Sequence, residues 1–77
     1  MYYDVVVSIY EEAYKNGVMI DSYLVCGGFK TEDEAMEYIN NTEINEYKYC
    51  YSDNEYPCIE IEEHNEDGSI IGVTSIG

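Results

Sequence analysis

The alternation of residue types near the start of the chain is the feature that most constrains its fold. In residues 2–10, the apolar residues Tyr3, Val5, Val7 and Ile9 alternate with a mixed polar and apolar set. Successive side chains of a β-strand point to opposite faces of a sheet, so this spacing directs one wholly apolar face towards a core. We therefore predict a strand over residues 2–10 in a sheet with one buried face.

A turn and a second strand are expected next. Asn16-Gly17 is typical of a tight turn, because both residues tolerate a positive φ. Residues 18–26 are rich in β-branched and aromatic side chains and are predicted to pair with the first strand. Gly27-Gly28 is expected to end this second strand.

The beginning of one helix is marked by a local motif. Thr31 and Glu34 have the Thr-x-x-Glu spacing of a capping box, in which the Thr hydroxyl accepts from the Glu34 N–H. The Glu34 carboxylate in turn reaches back to the Thr31 N–H. The following apolar residues support about ten helical residues, ending near Asn40-Asn41.

Three further strands are predicted over residues 47–51, 58–64 and 70–76, with a polar turn over residues 52–57. Glu66-Asp67-Gly68 is typical of a three-residue hairpin loop with Gly68 in the left-handed region. This loop predicts a register in which His64 faces Ile70, Ile61 faces Val73 and Glu60 faces Thr74. Glu60 and Glu62 are then expected on the exposed side of the sheet.

These elements predict a single α+β domain spanning residues 1–77, in the order β-β-α-β-β-β. One antiparallel sheet with a single α-helix packed on one face is the simplest way to bury the apolar positions. A chain of 77 residues buries only about 60% of its unfolded surface, which leaves little room for a deep catalytic cleft.

The charge of the chain limits its partners. The chain contains seventeen Asp and Glu residues, three Lys and no Arg, which gives a formal net charge of −14. Such a field repels phosphate backbones and anionic membranes, so neither direct nucleic-acid binding nor membrane binding is expected. A basic protein is the expected partner, because opposite charge steers two surfaces together.

Neither catalysis nor a cofactor is predicted. The single histidine, His64, follows Cys50 and Cys58 at spacings that do not match a zinc site. No nucleophile, phosphate-loop or metalloprotease motif occurs, and arginine is lacking. An odd count of three cysteines without a secretory leader predicts reduced thiols in the cytoplasm.

Two groups of carboxylates are predicted to bind the partner. Alternate residues of a strand lie about 6.6 Å apart, close to the spacing of phosphates along one nucleic-acid strand. Neighbouring acids on the helix have no lysine to neutralise them. A solvated face that keeps the protein soluble is the alternative. The predicted contact residues are Asp33, Glu34 and Glu37 on the helix and Glu60, Glu62 and Glu63 on the fourth strand.

The tyrosines allow two interpretations. Ten tyrosines exceed what a core of this size can bury with satisfied hydroxyl groups, so some must reach the surface. The stripe of Tyr47, Tyr49 and Tyr51 is either a half-buried sheet face or an exposed interface, where tyrosine is enriched. In the second interpretation, Tyr49 and Tyr51 anchor the partner.

In length, charge, lack of arginine and its Glu32-Asp33-Glu34 and Glu60-x-Glu62-Glu63 clusters, the chain resembles the small acidic proteins of phages and mobile elements. These include anti-CRISPR proteins and DNA mimics. The resemblance implies an inhibitor that occupies the nucleic-acid groove of a CRISPR effector or another nucleic-acid-binding protein. The alternative hypothesis is a small self-associating module, a homodimer formed through an edge strand at residues 2–10 or 70–76.

Overall fold

A four-stranded antiparallel sheet carries one α-helix on one of its faces. The computed structural model describes residues 1–11 and 18–76. The strands follow the spatial order β2-β1-β3-β4, which confirms the predicted α+β class with a helix on one antiparallel sheet. The elements are β1 (Tyr2–Glu11), β2 (Met19–Phe29), α1 (Glu32–Asn41), a 3₁₀ helix (Glu46–Tyr49), β3 (Glu55–His64) and β4 (Ile70–Ser75).

The core lies between α1 and the apolar face of β1, as the alternation predicts. Val5, Val7 and Ile9 are at most 1% exposed. Val5 packs with Ala35 of α1 and Ile61 of β3, and the surrounding apolar side chains of both layers complete the cluster. We call this side of the sheet the α1 face.

The second side of the sheet, which we call the open face, has a different composition. Among residues 1–11 and 18–76, both helices pack on the α1 face: α1 through the core, and the 3₁₀ helix through a Tyr49–Tyr23 stack with ring centroids 5.1 Å apart. The strand pairing places the alternate residues of β1 and β3 opposite one another on the open face. They are Tyr2, Asp4, Val6, Ser8 and Tyr10 of β1, with Tyr56, Cys58, Glu60, Glu62 and His64 of β3.

The prediction of a strand over residues 47–51 is wrong, and residues 1–11 and 18–76 contain four strands instead of the five predicted. This segment forms the 3₁₀ helix, in which the Lys48 N–H donates to the Asn45 carbonyl and the Cys50 N–H donates to the Tyr47 carbonyl. Both sides of β1 are already paired, with β2 and β3, so the segment has no place beside the central strand. Tertiary context thus overrides the β-propensity of its tyrosines.

The predicted ends of two strands also differ from the structure. β2 continues through Gly27 and Gly28 to Phe29, and Gly28 adopts a φ of 81° within an irregular stretch of the pairing with β1. β3 begins at Glu55, inside the predicted polar turn, and includes Pro57. Pairing of β3 with β4 extends only from His64 to Glu60, so Pro57 lies where β3 has only β1 beside it. A missing N–H is tolerated at such an edge.

The β3–β4 hairpin confirms the predicted loop but corrects its register. Gly68 has a φ of 90°, and His64 faces Ile70 as predicted. A bulge next to His64 then shifts the pairing by one residue, so that Ile61 faces Thr74 and Glu60 faces Ser75. A bulge adds an unpaired residue to one strand, which a prediction from loop length alone cannot include.

The N-terminus of α1 confirms half of the predicted capping box. The Thr31 hydroxyl accepts a hydrogen bond from the Glu34 N–H at 3.1 Å. The Glu34 carboxylate, however, accepts from the Lys30 N–H at 3.3 Å, one residue before the expected donor. The helix ends at Asn41, as predicted.

Two remaining predictions concern the ends of β1. The Asn16-Gly17 turn lies outside the described residues. β1 is a central strand, so residues 2–10 cannot be the proposed dimerisation edge, whereas β4 is an edge strand of this sheet.

Within the described ranges, no helix has both the length and the apolar character that crossing a bilayer requires.

Candidate functional site

Four of the six predicted contact carboxylates lie on the α1 side of the sheet. Asp33, Glu34 and Glu37 are exposed on α1. Glu63 is half-buried on the same side, because its carboxylate accepts a hydrogen bond at 2.9 Å from the hydroxyl of Tyr3, which packs against the core. These four residues therefore share one side of the sheet.

The other two, Glu60 and Glu62, belong to the open face and point away from α1. The expectation that Glu60 is exposed is wrong, since it is only 4% exposed. Its Oε2 accepts hydrogen bonds from the Tyr10 hydroxyl at 2.6 Å and the Ser75 hydroxyl at 3.1 Å. The sequence of β3 alone does not predict this burial of Glu60, because the hydrogen-bond donors come from the neighbouring strands β1 and β4. Glu60 thus holds three strands together.

The two predicted tyrosine anchors occupy different environments. Tyr51 is 82% exposed, whereas Tyr49 is half-buried and stacks on Tyr23. The Lys48 ammonium group lies 5.1 Å from the Tyr49 ring centroid. An open depression of about 450 Å³ adjoins Tyr51 beside the 3₁₀ helix. Its walls combine aromatic rings with carboxylates and are formed by Tyr47, Cys50, Tyr51, Ser52, Asp53 and Glu55.

A second constellation lies on the open face and was not predicted. Asp4, Glu62 and His64 each direct one metal-ligating atom towards a common point, with all three atoms within 4.8 Å of one another. His64 Nε2 lies 3.1 Å from Glu62 Oε1 and 3.4 Å from Asp4 Oδ2. His64 is only 8% exposed.

Neighbouring groups hold these three side chains in place. His64 Nδ1 lies 3.0 Å from the Gly68 carbonyl oxygen, and the Tyr2 ring stacks in parallel on the imidazole with centroids 4.8 Å apart. Asp4 Oδ1 accepts a hydrogen bond from the Gly28 N–H at 2.9 Å. Gly27 allows this arrangement, because a Cβ atom at that position would collide with the Asp4 carboxylate.

The charges around His64 favour a positive species at this point. The hydrogen bond to the Gly68 carbonyl raises the pKa of His64 above its ordinary value, and the carboxylates of Glu62 and Asp4 add to this effect. Burial of the ring acts in the opposite direction but is outweighed. The cluster therefore stabilises a cation between its carboxylates.

Part of this cluster has a sequence signal. Glu62 and His64 are two residues apart in a strand, which places both on one face. Neither Cys50 nor Cys58, the two cysteines that precede His64 in the sequence, belongs to this cluster. Asp4 belongs to β1 and lies directly opposite Glu62 of the neighbouring strand β3. Only the register between β1 and β3 brings Asp4 next to Glu62 and His64.

Comparison of the chain with protein-family models, with curated proteins and with solved structures finds no match.

Proposed function

We propose that this protein is a non-catalytic acidic binding protein, which inhibits a basic nucleic-acid-binding protein by covering its nucleic-acid groove. The surface that would do this is the α1 surface, which we define as Glu32, Asp33, Glu34, Glu37 and Glu63 together with Tyr47 and Tyr51 of the 3₁₀-helix segment. A CRISPR effector is one example of such a partner.

The observation that carries the proposal is the uncompensated charge of α1. Its first turn contains three exposed carboxylates and its second turn adds Glu37, while its last turn contains no basic residue. Among the described residues, neither Lys30 nor Lys48 forms an ion pair with a carboxylate. Asp33 and Glu37 are four residues apart, where like charges destabilise a helix slightly. A cationic partner would relieve that repulsion.

The depression beside Tyr51 supports a protein partner. Exposed tyrosine rings together with Asp53 and Glu55 suit a lysine or arginine side chain, which gains from both the carboxylates and the aromatic faces. Tyrosine also provides large contact area at a small entropic cost. Carboxylates on α1 would accelerate association, and the tyrosines would slow dissociation.

A competition assay tests this function. Purified nucleic-acid-binding proteins, CRISPR effectors among them, are loaded with fluorescently labelled nucleic acid, and its displacement by this protein is followed by anisotropy. We expect displacement from at least one protein at about 0.05 M salt and weaker displacement at about 0.5 M salt. Poly-glutamate serves as the polyanion control. If no nucleic acid is displaced at either salt concentration, or poly-glutamate competes equally well, the proposal is wrong.

Two charge reversals locate the surface. Glu37→Lys and Glu66→Lys change the net charge equally, but Glu37 lies on α1 whereas Glu66 lies in the β3–β4 loop. We expect Glu37→Lys to weaken displacement at least about tenfold, and Glu66→Lys to have a much smaller effect. Equal losses would mean that total charge, and not the α1 surface, determines binding. Since Glu37→Lys also relieves repulsion with Asp33, unfolding would not explain its loss of binding.

A homodimer through β4 is the second candidate, which a specific observation favours. β4 is an edge strand, and its side chains Ile70, Ile71 and Val73 are more than half exposed. Exposed apolar edges readily pair with a second copy. Light scattering over a concentration series should then show a dimer that Ile71→Lys converts to a monomer. A monomer at every concentration excludes this candidate.

A further inference from the structure

The cluster on the open face has two carboxylates but only one imidazole N–H that can donate a hydrogen bond to them. If the imidazole Nδ1 donates to the Gly68 carbonyl, one nitrogen, Nε2, remains to meet two carboxylates. A proton on Nε2 forms a hydrogen bond with Glu62 Oε1 at 3.1 Å. Asp4 Oδ2, at 3.4 Å, receives no hydrogen bond from any residue that the structure describes. The single Nε2 proton therefore forms a hydrogen bond with only one of the two carboxylates.

The distances from His64 Nε2 to the two carboxylates suit a bound metal ion. Bonds of zinc to histidine nitrogen and carboxylate oxygen place neighbouring ligands of a tetrahedron about 3.4 Å apart. The two separations from His64 Nε2, 3.1 and 3.4 Å, agree with this value, and the ligand oxygens of Asp4 and Glu62 lie within 4.8 Å of each other. Three protein ligands leave a fourth position for water or another ligand.

The groups around the cluster are those that support metal ligands. A metal-binding histidine almost always donates its second ring N–H to a carbonyl or carboxylate, as Gly68 allows here. Ligating carboxylates are in turn hydrogen-bonded, as Asp4 is by the Gly28 N–H. The three side chains also come from neighbouring positions of two paired strands, where the backbone is fixed.

We propose that Asp4, Glu62 and His64 form a binding site for a divalent transition-metal ion, with zinc as the best fit. An imidazole with two carboxylates suits zinc and its first-row neighbours, whereas magnesium and calcium prefer oxygen ligands alone. A divalent ion neutralises both carboxylates, and the strong negative charge of the whole protein attracts it. The site lies on the open face, so it is independent of the function proposed for the α1 surface.

Nuclear magnetic resonance on the full-length chain tests the site directly. Because His64 is the only histidine, its ring resonances report on this cluster without assignment ambiguity. Zinc chloride at neutral pH should shift these resonances in a saturable 1:1 titration, and cobalt should shift or broaden them strongly. If zinc leaves the His64 ring unchanged while acid shifts it, the cluster holds only a proton and the proposal is wrong.

Isosteric variants separate this site from binding to other surface acids or to the thiols. Asp4→Asn retains an oxygen to accept from the Gly28 N–H but loses the second ligand oxygen, and Glu62→Gln tests the other carboxylate. Each should raise the zinc Kd, measured on the His64 resonances, at least about tenfold. Glu66→Gln, an exposed acid outside the cluster, should change it less than about twofold. Equal affinities for all three variants would refute the site, and circular dichroism checks that each variant is folded.

Discussion

Hydrogen bonds between tyrosine hydroxyls and carboxylates recur across this sheet. Tyr3 donates to Glu63, Tyr10 donates to Glu60, and Tyr23 donates to Asp21. A chain with many carboxylates and few cations needs neutral donors when an acid approaches the core, and tyrosine supplies one on a side chain that also packs well. The Glu60 pair is the most buried of the three, because Glu60 itself lies inside the sheet.

The Tyr10–Glu60 pair predicts a loss of stability in alkali. The hydrogen bond from the Tyr10 hydroxyl to Glu60 raises the pKa of that hydroxyl above its ordinary value, and burial adds a smaller increase. The folded state therefore keeps a proton that the unfolded chain releases above about pH 10, so this stabilisation is present below that pH and is lost as pH rises further. Tyr10→Phe should cost about 1–3 kcal/mol at neutral pH, because the buried Glu60 loses a donor.

Urea denaturation over a pH series measures this effect. The difference between the wild type and Tyr10→Phe should narrow above about pH 10, because only the wild type loses this stabilisation. Tyr47→Phe is the control, since Tyr47 is exposed and has no hydrogen bond to a carboxylate among the described residues. A difference that stays constant up to about pH 12 would contradict the linkage.

Among the elements, α1 owes its stability more to the cap at its N-terminus than to the helix propensity of its residues. Its only buried residue is Ala35, and the Thr31 hydroxyl caps it by accepting a hydrogen bond from the Glu34 N–H at 3.1 Å. Helices of ten residues are marginal without tertiary packing or caps. The acids of its first turn favour the positive end of the helix dipole, but no basic residue complements the last turn.

Removal of the cap should therefore destabilise the whole domain. Thr31→Ala is expected to lower the free energy of unfolding by about 1 kcal/mol, because the Glu34 N–H loses its acceptor. Thr31→Ser keeps the hydroxyl and should remain close to the wild type. Chemical denaturation of the three proteins measures the effect, and indistinguishable midpoints for Thr31→Ala and the wild type would show that the cap contributes nothing.

At the scale of the whole molecule, the acids serve different purposes on the two sides of the sheet. The acids of α1 itself are exposed and have no cationic partner among the described residues, whereas Asp4, Glu60 and Glu62 on the open face bond to hydroxyls, a backbone N–H or His64. The proposed inhibitor surface and the proposed metal site thus use separate groups of carboxylates. Repulsion among all of these charges opposes the compact state.

Screening of that repulsion should stabilise the protein. Raising sodium chloride from about 0.02 M to about 0.5 M shortens the range of charge interactions several-fold, so the Tm should rise. Glu37→Lys lowers the net negative charge and should show a higher Tm at low salt with a smaller response to added salt. A Tm that falls with sodium chloride would mean that specific ion pairs outweigh the general repulsion.

Local patterns by themselves determined much of this fold. The alternation of Val5, Val7 and Ile9 specified the buried face of β1, because side-chain direction in a strand follows directly from spacing. Thr31 specified the start of α1, and Gly68 specified the tight loop of the hairpin. Each of these signals is contained within a few residues, and the excess of acids is a property of the composition alone.

Tertiary structure decided what depends on distant neighbours. Tyr47, Tyr49 and Tyr51 alternate like a strand, yet they do not join the sheet, in which β2 and β3 already flank the central strand β1. Asp4 and His64 are far apart in the chain and meet only through the β1–β3 register. Strand pairing is a long-range choice in which the whole sheet competes for hydrogen bonds and burial, so short-range patterns cannot contain it.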